Sequence, residues 1–356
     1  AQAILAQVCA AIIAPSRLHR LRRGSQRTRA VSMDWAGIGS GFCSLFVIWI
    51  AAASALALIY PRTFLWLSPA YFPVLMGLLM YSVGVTTGPS DFKGGHRWLR
   101  PLCINFVMCF VLMPGLALAL AWAIGASREQ LAGMVLLASV NGGQASNLCC
   151  LIAGADVPLS ILMTVSTTFG GIVLTPLLLK TLLGAVIRVD SWGILRSTVQ
   201  VVLFPVLMGV VSKATVPRLC DAMKPGIPVL GILVSIFVVG ATVASCTPQI
   251  LGASFTLHAA LLLFHILGAG AGYLLPAWLG GHCVESRTVA IEVSMKSAAF
   301  AFVLAVLHFE DFDVRVPAAV DCIWCPLFAA ALGAVWRAKS AGLEAGAWAA
   351  EYKPRW

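Results

Sequence analysis

Apolar runs of about twenty residues recur along almost the whole chain, parted only by short polar breaks, and this repetition limits the fold more than any other feature. Coiled as an α-helix, each run matches the hydrocarbon thickness of a bilayer. The runs fall at residues 39–60, 70–88, 101–124, 131–153, 157–183, 192–211, 226–246, 254–277, 287–307 and 316–337, about ten membrane helices in all. Composition agrees: 60% of the 356 residues are hydrophobic, 11% are charged and the mean hydropathy is +0.92, far from the profile of a water-soluble domain. The expected fold class is an all-α polytopic membrane protein whose solvent, and principal partner, is the lipid bilayer.

The breaks differ in charge. Loops on the side of the amino terminus carry Lys93, Arg97, Arg100, Lys213, Arg218, Lys224 and Arg287, with Arg337, Lys339, Lys353 and Arg355 in the tail. The opposite loops carry Arg62, Arg128, Lys180, Arg188 and Arg315 together with Glu129, Glu310, Asp311 and Asp313. The positive-inside bias then puts both termini in the cytosol, or in the stroma or matrix of an organelle, as an even helix count requires. Residues 1–34 differ from the rest: Arg17, Arg20, Arg22, Arg23, Arg27 and Arg29 follow an apolar start, and Asp34 is the first acid. An acid-free, Arg-rich leader of this kind reads as an organelle-targeting segment, with an ordinary basic arm as the alternative. The leader accounts for much of the net charge of +10, which is therefore not read as nucleic-acid binding.

One stretch interrupts the apolar pattern from within. NGGQASN, residues 141–147, lies between LAGMVLLASV and LCCLIAGADVPLSILMTVSTT. Lipid offers nothing to free backbone groups, so a helix opens at this depth only where protein or an aqueous cavity covers the opening. Gly142 and Gly143 permit unwinding and close approach of another backbone, while Gln144, Ser146 and Asn147 bring donors and acceptors for the freed groups or for an ion. A second interruption follows about 150 residues later in SRTVAIEVSMKSAAFAFVLAVL, where Glu292 and Lys296 stand in an apolar run. Charges at membrane depth are costly and are kept for pairing or function. Breaks at corresponding places of two five-helix halves, residues 35–188 and 189–338 with a tail at 339–356, form the pattern of an inverted-repeat secondary transporter. In that architecture half-helix amino termini attract an anionic substrate, and freed carbonyls coordinate a cation.

Other classes find less support. A catalytic constellation is missing: there is no paired-acid motif, HExxH, GxSxG or GxxxxGK[ST], so the chain is not expected to be an enzyme or ATP-driven. A channel or a non-transporting sensor stays open, because broken helices also build pores. The 11 cysteines imply no disulfide framework. CIWC puts Cys322 and Cys325 on one helix face, but only Asp321 stands near enough in sequence to join a ligand set, so packing is the preferred reading and sodium the only metal expected. His265, lone in its span, is expected to be satisfied by a neighbouring carbonyl. Asn105 is a candidate for lining a cavity.

GGQASN, then LSILMTVSTT and TPLL, then SRTVAIEVSMKSA in the second half, resemble the bile acid:sodium symporter family, and especially its plant plastid branch, which includes pyruvate/sodium symporters. The resemblance spans about residues 72–337. It implies a core and a panel domain with discontinuous helices 4 and 9 crossing, and transport by alternating access. It also implies a sodium site at Ser146, Asn147, Ser160, Thr164 and Glu292, all oxygen-bearing as a hard cation requires. The crossover of Asn141, Gly142, Gly143, Gln144 and Lys296 would face a small organic anion. Pyruvate or another small 2-oxo acid is the first expectation and pantoate or a related monocarboxylate the second. A plastid envelope is the expected location and the plasma membrane the alternative.

The family's second sodium site departs from pattern. Its usual Gln four residues after the Glu is Lys296 here, the Gln expected five residues before Pro114 is Cys109, and the Pro before the double glycine is Asn141. An ammonium cannot ligate sodium and a thiol does so poorly. Lys296 is therefore read as a built-in cation replacing the second sodium, leaving one sodium per cycle, with a proton-coupled or uncoupled organic-anion carrier as the alternative. Asp321 is also unusual, and two lone buried charges are less costly together, so Lys296 and Asp321 are expected to touch.

Overall fold

A computed structural model describes Phe42 and residues 45–86, 96–143, 145–184, 187–223 and 226–343. The leader at 1–34, Gln144, Lys93, Lys224 and the tail beyond 343 lie outside the described residues. Helices dominate what is described, as lipid demands of a chain whose N–H and C=O groups must pair within their own segment. The principal helices are α1 (Phe46–Ile59), α2 (Phe72–Thr86), α3 (Trp98–Ala123), α4 (Arg128–Ser139), α5 (Ala145–Ala153) and α6 (Val157–Leu183). They continue with α7 (Ser191–Thr215), α8 (Ile227–Ser245), α9 (Phe255–Trp278), α10 (Cys283–Ser294), α11 (Ala298–His308) and α12 (Val316–Leu343). Among the described residues, 7 helices are long and apolar enough to cross a membrane, while α1 and α11 are shorter apolar helices. The run at 157–183 coincides with α6, and other ends shift by a few residues.

Two of the expected runs are each split. α4 ends at Ser139 and α5 begins at Ala145; α10 ends at Ser294 and α11 begins at Ala298. The entry to α4 is a capping box, in which Ser127 accepts from the Gln130 N–H while the Gln130 side chain accepts from the Ser127 N–H. Glu129 in that exposed first turn keeps its carboxyl below the ordinary value, through a bond from its own backbone N–H and then one from Ser127.

Two groups of neighbours emerge from the packing. α1 lies against α8 and α2 against α7, whereas α3 packs on α4, α5 on α12 and α9 along α10. With lipid as solvent, close van der Waals approach at small residues does much of the work of holding helices together. A side chain on Gly84 of α2 would collide with the Val206 carbonyl of α7, and one on Gly209 of α7 with the Tyr81 carbonyl. Across the other contact, a Cβ on Gly272 of α9 would stand 2.8 Å from the Ala290 Cα of α10.

α3 carries a local defect that matters for the site. Over Met108–Leu112 its hydrogen bonds loosen to i→i+5, with the Met113 N–H reaching the Met108 carbonyl. In that register the Cys109 carbonyl would face residue 114, a proline without an N–H. The bulge thus leaves a buried acceptor in need of another donor.

Candidate functional site

The breaks meet. Gly142 pairs with Lys296 in a single antiparallel bridge, in which the Gly143 N–H donates to the Met295 carbonyl at 3.0 Å and the Ser297 N–H to the Asn141 carbonyl at 3.1 Å. The expected crossing of the two discontinuous helices is thus a two-bond exchange between backbones. Such contact needs bare backbone: a Cβ on Gly143 would lie 3.1 Å from the Lys296 carbonyl oxygen. Close approach, not a left-handed conformation, explains Gly143, whereas a Cβ on Gly142 would make only ordinary contacts, the nearest 3.5 Å from Glu292 Oε2.

Freed backbone groups at the first break find side-chain partners. The Ser139 carbonyl accepts from Thr175 Oγ1 at 2.8 Å, the Val140 carbonyl from Lys296 Nζ at 2.9 Å, and the Gly142 carbonyl from Asn141 Nδ2 at 3.2 Å. Asn141 also donates to Thr168 Oγ1 at 3.1 Å. At the second break the Ser294 carbonyl takes His265 Nδ1 at 2.7 Å and the Lys296 carbonyl takes the Ala298 N–H at 3.0 Å and Cys325 Sγ at 3.9 Å. His265 thus has the carbonyl partner expected of it. Ser146 and Asn147 serve elsewhere.

They turn to Glu292, which is 1% exposed. Ser146 Oγ lies 2.6 Å from Glu292 Oε1, Ser160 Oγ contacts the same oxygen, and Thr164 Oγ1 donates to Oε2 at 3.0 Å. Asn147 Oδ1 lies 2.7 Å from Ser160 Oγ. Three helices supply the set: α5 brings Ser146 and Asn147, α6 brings Ser160 and Thr164 one turn apart, and α10 brings the carboxylate. All five oxygen-bearing residues named from the sequence are gathered in one place, and all but the half-buried Asn147 are buried. Chemically, a carboxylate ringed by hydroxyls and an amide offers hard, weakly polarisable donors and one compensating negative charge, the ligand set of a monovalent hard cation.

Lys296 lies one turn beyond. Its ammonium donates to the Cys109 carbonyl freed by the α3 bulge at 3.0 Å and to the Val140 carbonyl at the end of α4, and it stands 5.7 Å from the centre of the Phe110 ring. A cation fits there because α4 points its carbonyl end at it. The expected contact of Lys296 with Asp321 is therefore corrected. Asp321 Oδ1 lies 2.5 Å from His265 Nε2, both side chains fully buried, while the Lys296 ammonium donates instead to two backbone carbonyls. Sequence reasoning missed His265 as the partner because the two lie 56 residues apart and neither stands in a motif. Asn105 is buried with its Oδ1 3.7 Å from Cys109 Sγ.

The half-helices α5 and α11 start at the crossing, so both direct positive dipole ends toward it, and α4 and α10 end there. The Glu292 cluster and the crossing thus lie side by side, one suited to a cation and the other to an anion.

Sequence comparison addresses the same region. The model of the Sodium Bile acid symporter family matches residues 73–252, which include the first break. The chain is 32% identical over 294 residues to the probable sodium/metabolite cotransporter BASS2, chloroplastic, of Oryza sativa subsp. japonica, covering 83% of this chain and 70% of that protein. It is 31% identical to the probable sodium/metabolite cotransporter BASS1, chloroplastic, of Arabidopsis thaliana, over 84% of this chain and 75% of that one. A third relative, the probable sodium/metabolite cotransporter BASS5, chloroplastic, of Oryza sativa subsp. indica, is 33% identical over 81% and 74%. These are transporters and not enzymes, and a match through half of the chain to the family's sequence model, extended by relatives along most of its length, makes this chain a member of the sodium bile acid symporter family.

Proposed function

We propose that the protein is a secondary active transporter that couples inward movement of sodium to a small organic anion, a pyruvate-like monocarboxylate, by alternating access. The observation that carries this reading is the convergence of Ser146, Asn147, Ser160 and Thr164 on Glu292 beside two crossed helix breaks. Sodium bound to the five residues would neutralise Glu292 and tie α5 and α6 to α10, so the ion would stabilise this arrangement of the helices beside the crossing. The amino-terminal ends of α5 and α11, with Asn141, Gly142, Gly143 and Gln144 around them, would then receive the carboxylate. Coupling follows from that linkage, because anion and cation each favour the arrangement the other needs.

In this reading Lys296 replaces a second sodium. Its ammonium is held by carbonyl oxygens, the ligands sodium itself would use, and it contributes the same single charge without being transported. The ten membrane passes are α1, α2, α3, α4 with α5, α6, α7, α8, α9, α10 with α11, and α12, arranged as two inverted five-helix repeats at 35–188 and 189–338. The packing of α1 and α2 with α7 and α8 supports a panel beside a core built of the other helices. The relatives' names carry the word chloroplastic, which supports a plastid envelope for this chain too.

Uptake of radiolabelled pyruvate into proteoliposomes tests the proposal, with sodium gradients, proton gradients or neither imposed, in the wild type and in Glu292→Ala. Uptake driven by sodium and lost in Glu292→Ala is the expected result. Uptake indifferent to sodium would refute symport, and uptake driven by protons would favour the proton-coupled carrier.

A further inference from the structure

We infer that His265, Asp321 and Cys325 form a second, buried metal site of different chemistry, suited to a borderline-soft divalent ion such as zinc or cadmium. Asp321 and Cys325 stand four residues apart on α12 and so share a face, and α9 sets His265 against them. One ligand atom from each residue lies within 4.8 Å of the other two, and all three side chains are buried, Cys325 at 5% exposure and the others at 0%. Nitrogen, carboxylate oxygen and sulfur together favour such an ion over sodium.

Hydrogen bonding prepares the set. Because the Ser294 carbonyl can only accept, the Nδ1 of His265 must carry a proton, which leaves Nε2 to face the site. Histidines that hold metals are oriented by this same donation from the far nitrogen to a carbonyl. The ring is further fixed by stacking on Phe328, with centroids 5.5 Å apart and planes 22° from parallel. Asp321 Oδ2 is buried and has no hydrogen-bond partner, although a carboxylate at this depth is expected to use both oxygens. That orphaned oxygen is the independent sign of a ligand.

Charge also balances. Without metal, one proton is shared between His265 Nε2 and Asp321 Oδ1, and Cys325 carries its thiol proton. Entry of a divalent ion releases both protons and leaves a neutral assembly of M²⁺, carboxylate, thiolate and neutral imidazole, the condition a low-dielectric interior favours. Bonds of about 2.0–2.3 Å place ligand atoms roughly 3.3–3.7 Å apart in a tetrahedron, so the His265–Asp321 contact opens by about 1 Å and the carboxylate turns Oδ2 inward. Cys325 gives up its bond to the Lys296 carbonyl, which keeps the Ala298 N–H.

The test is metal counting on the purified full chain in lipid nanodiscs. After equilibration with Cd²⁺ and dialysis, the wild type should retain one equivalent more than Asp321→Asn and one more than Cys325→Ser, the remaining thiols being common to all. Co²⁺ should produce a thiolate-to-metal absorption band in the wild type that Cys325→Ser lacks. Thermal unfolding checks that the variants are folded; serine keeps a donor for the Lys296 carbonyl, so Cys325→Ser decides if Asp321→Asn does not fold. Equal metal content in the wild type and Cys325→Ser, with no difference in the Co²⁺ spectrum, would overturn the proposal and leave His265–Asp321 as a proton-sharing strut alone.

Discussion

At Asn141 to Gly143 the chain opens where the sequence itself is permissive, with two glycines and an amide that bonds its own backbone. At Met295 to Ser297 neither glycine nor proline occurs, yet the chain opens as fully, with extended backbone at Met295. The difference is made up by neighbours. His265 holds the Ser294 carbonyl, Gly143 the Met295 carbonyl and Cys325 the Lys296 carbonyl, while Lys296 reaches back to the end of α4. A helix break at membrane depth can thus be encoded in residues distant from it, provided that every freed group finds a partner. The first break is shaped by what it lacks, side chains, and the second by what it supplies, charge.

This contrast can be broken most severely at the charge. Glu292→Gln keeps the volume and removes the negative charge, and sodium affinity should fall by about 100-fold or more, above the loss typical of groups one shell further out; a sodium titration of uptake reads it. Lys296→Met strands two buried carbonyls at about 1–3 kcal/mol each, so thermal unfolding in nanodiscs should show a loss of about 2–6 kcal/mol. Gly143→Val forces a branched side chain against the Lys296 carbonyl and should cost about 1–3 kcal/mol by the same assay. A matching probe of the second break sharpens the comparison: Ser297 makes no side-chain cap bond, so Ser297→Ala should stay within about 0.5 kcal/mol. Thr175→Val removes the donor to the Ser139 carbonyl and should cost about 1 kcal/mol while leaving the sodium titration unchanged.

How much of this was legible follows from the same contrast. The membrane class and most helix spans are visible as apolar runs, because lipid imposes a fixed length on every crossing. The first break is visible through Gly142 and Gly143 and the second through Glu292 and Lys296, since both are expensive in a helix at that depth. The set of five oxygen-bearing residues follows from the family resemblance together with the oxygen chemistry, and the geometry gathers all five around Glu292. The partner of Asp321 was not legible. Electrostatics alone pairs the two lone charges, because sequence does not show the carbonyls that a broken helix and a proline bulge release for an ammonium, and a histidine is not counted as a charge. Carbonyl acceptors of this kind are identical at every residue, so sequence does not mark which ones are free.

The most direct test of the account is whether transport moves net charge. One sodium carried with one monocarboxylate sums to zero, and Lys296, which stays with the protein through the whole cycle, adds nothing. Sodium-driven pyruvate uptake into proteoliposomes should therefore be unaffected by an imposed inside-negative potential in the wild type and should become potential-sensitive when Lys296→Gln and Cys109→Gln are combined. Stimulation of the wild type by the potential would mean that a second sodium crosses despite the lysine, and would contradict the role assigned to Lys296.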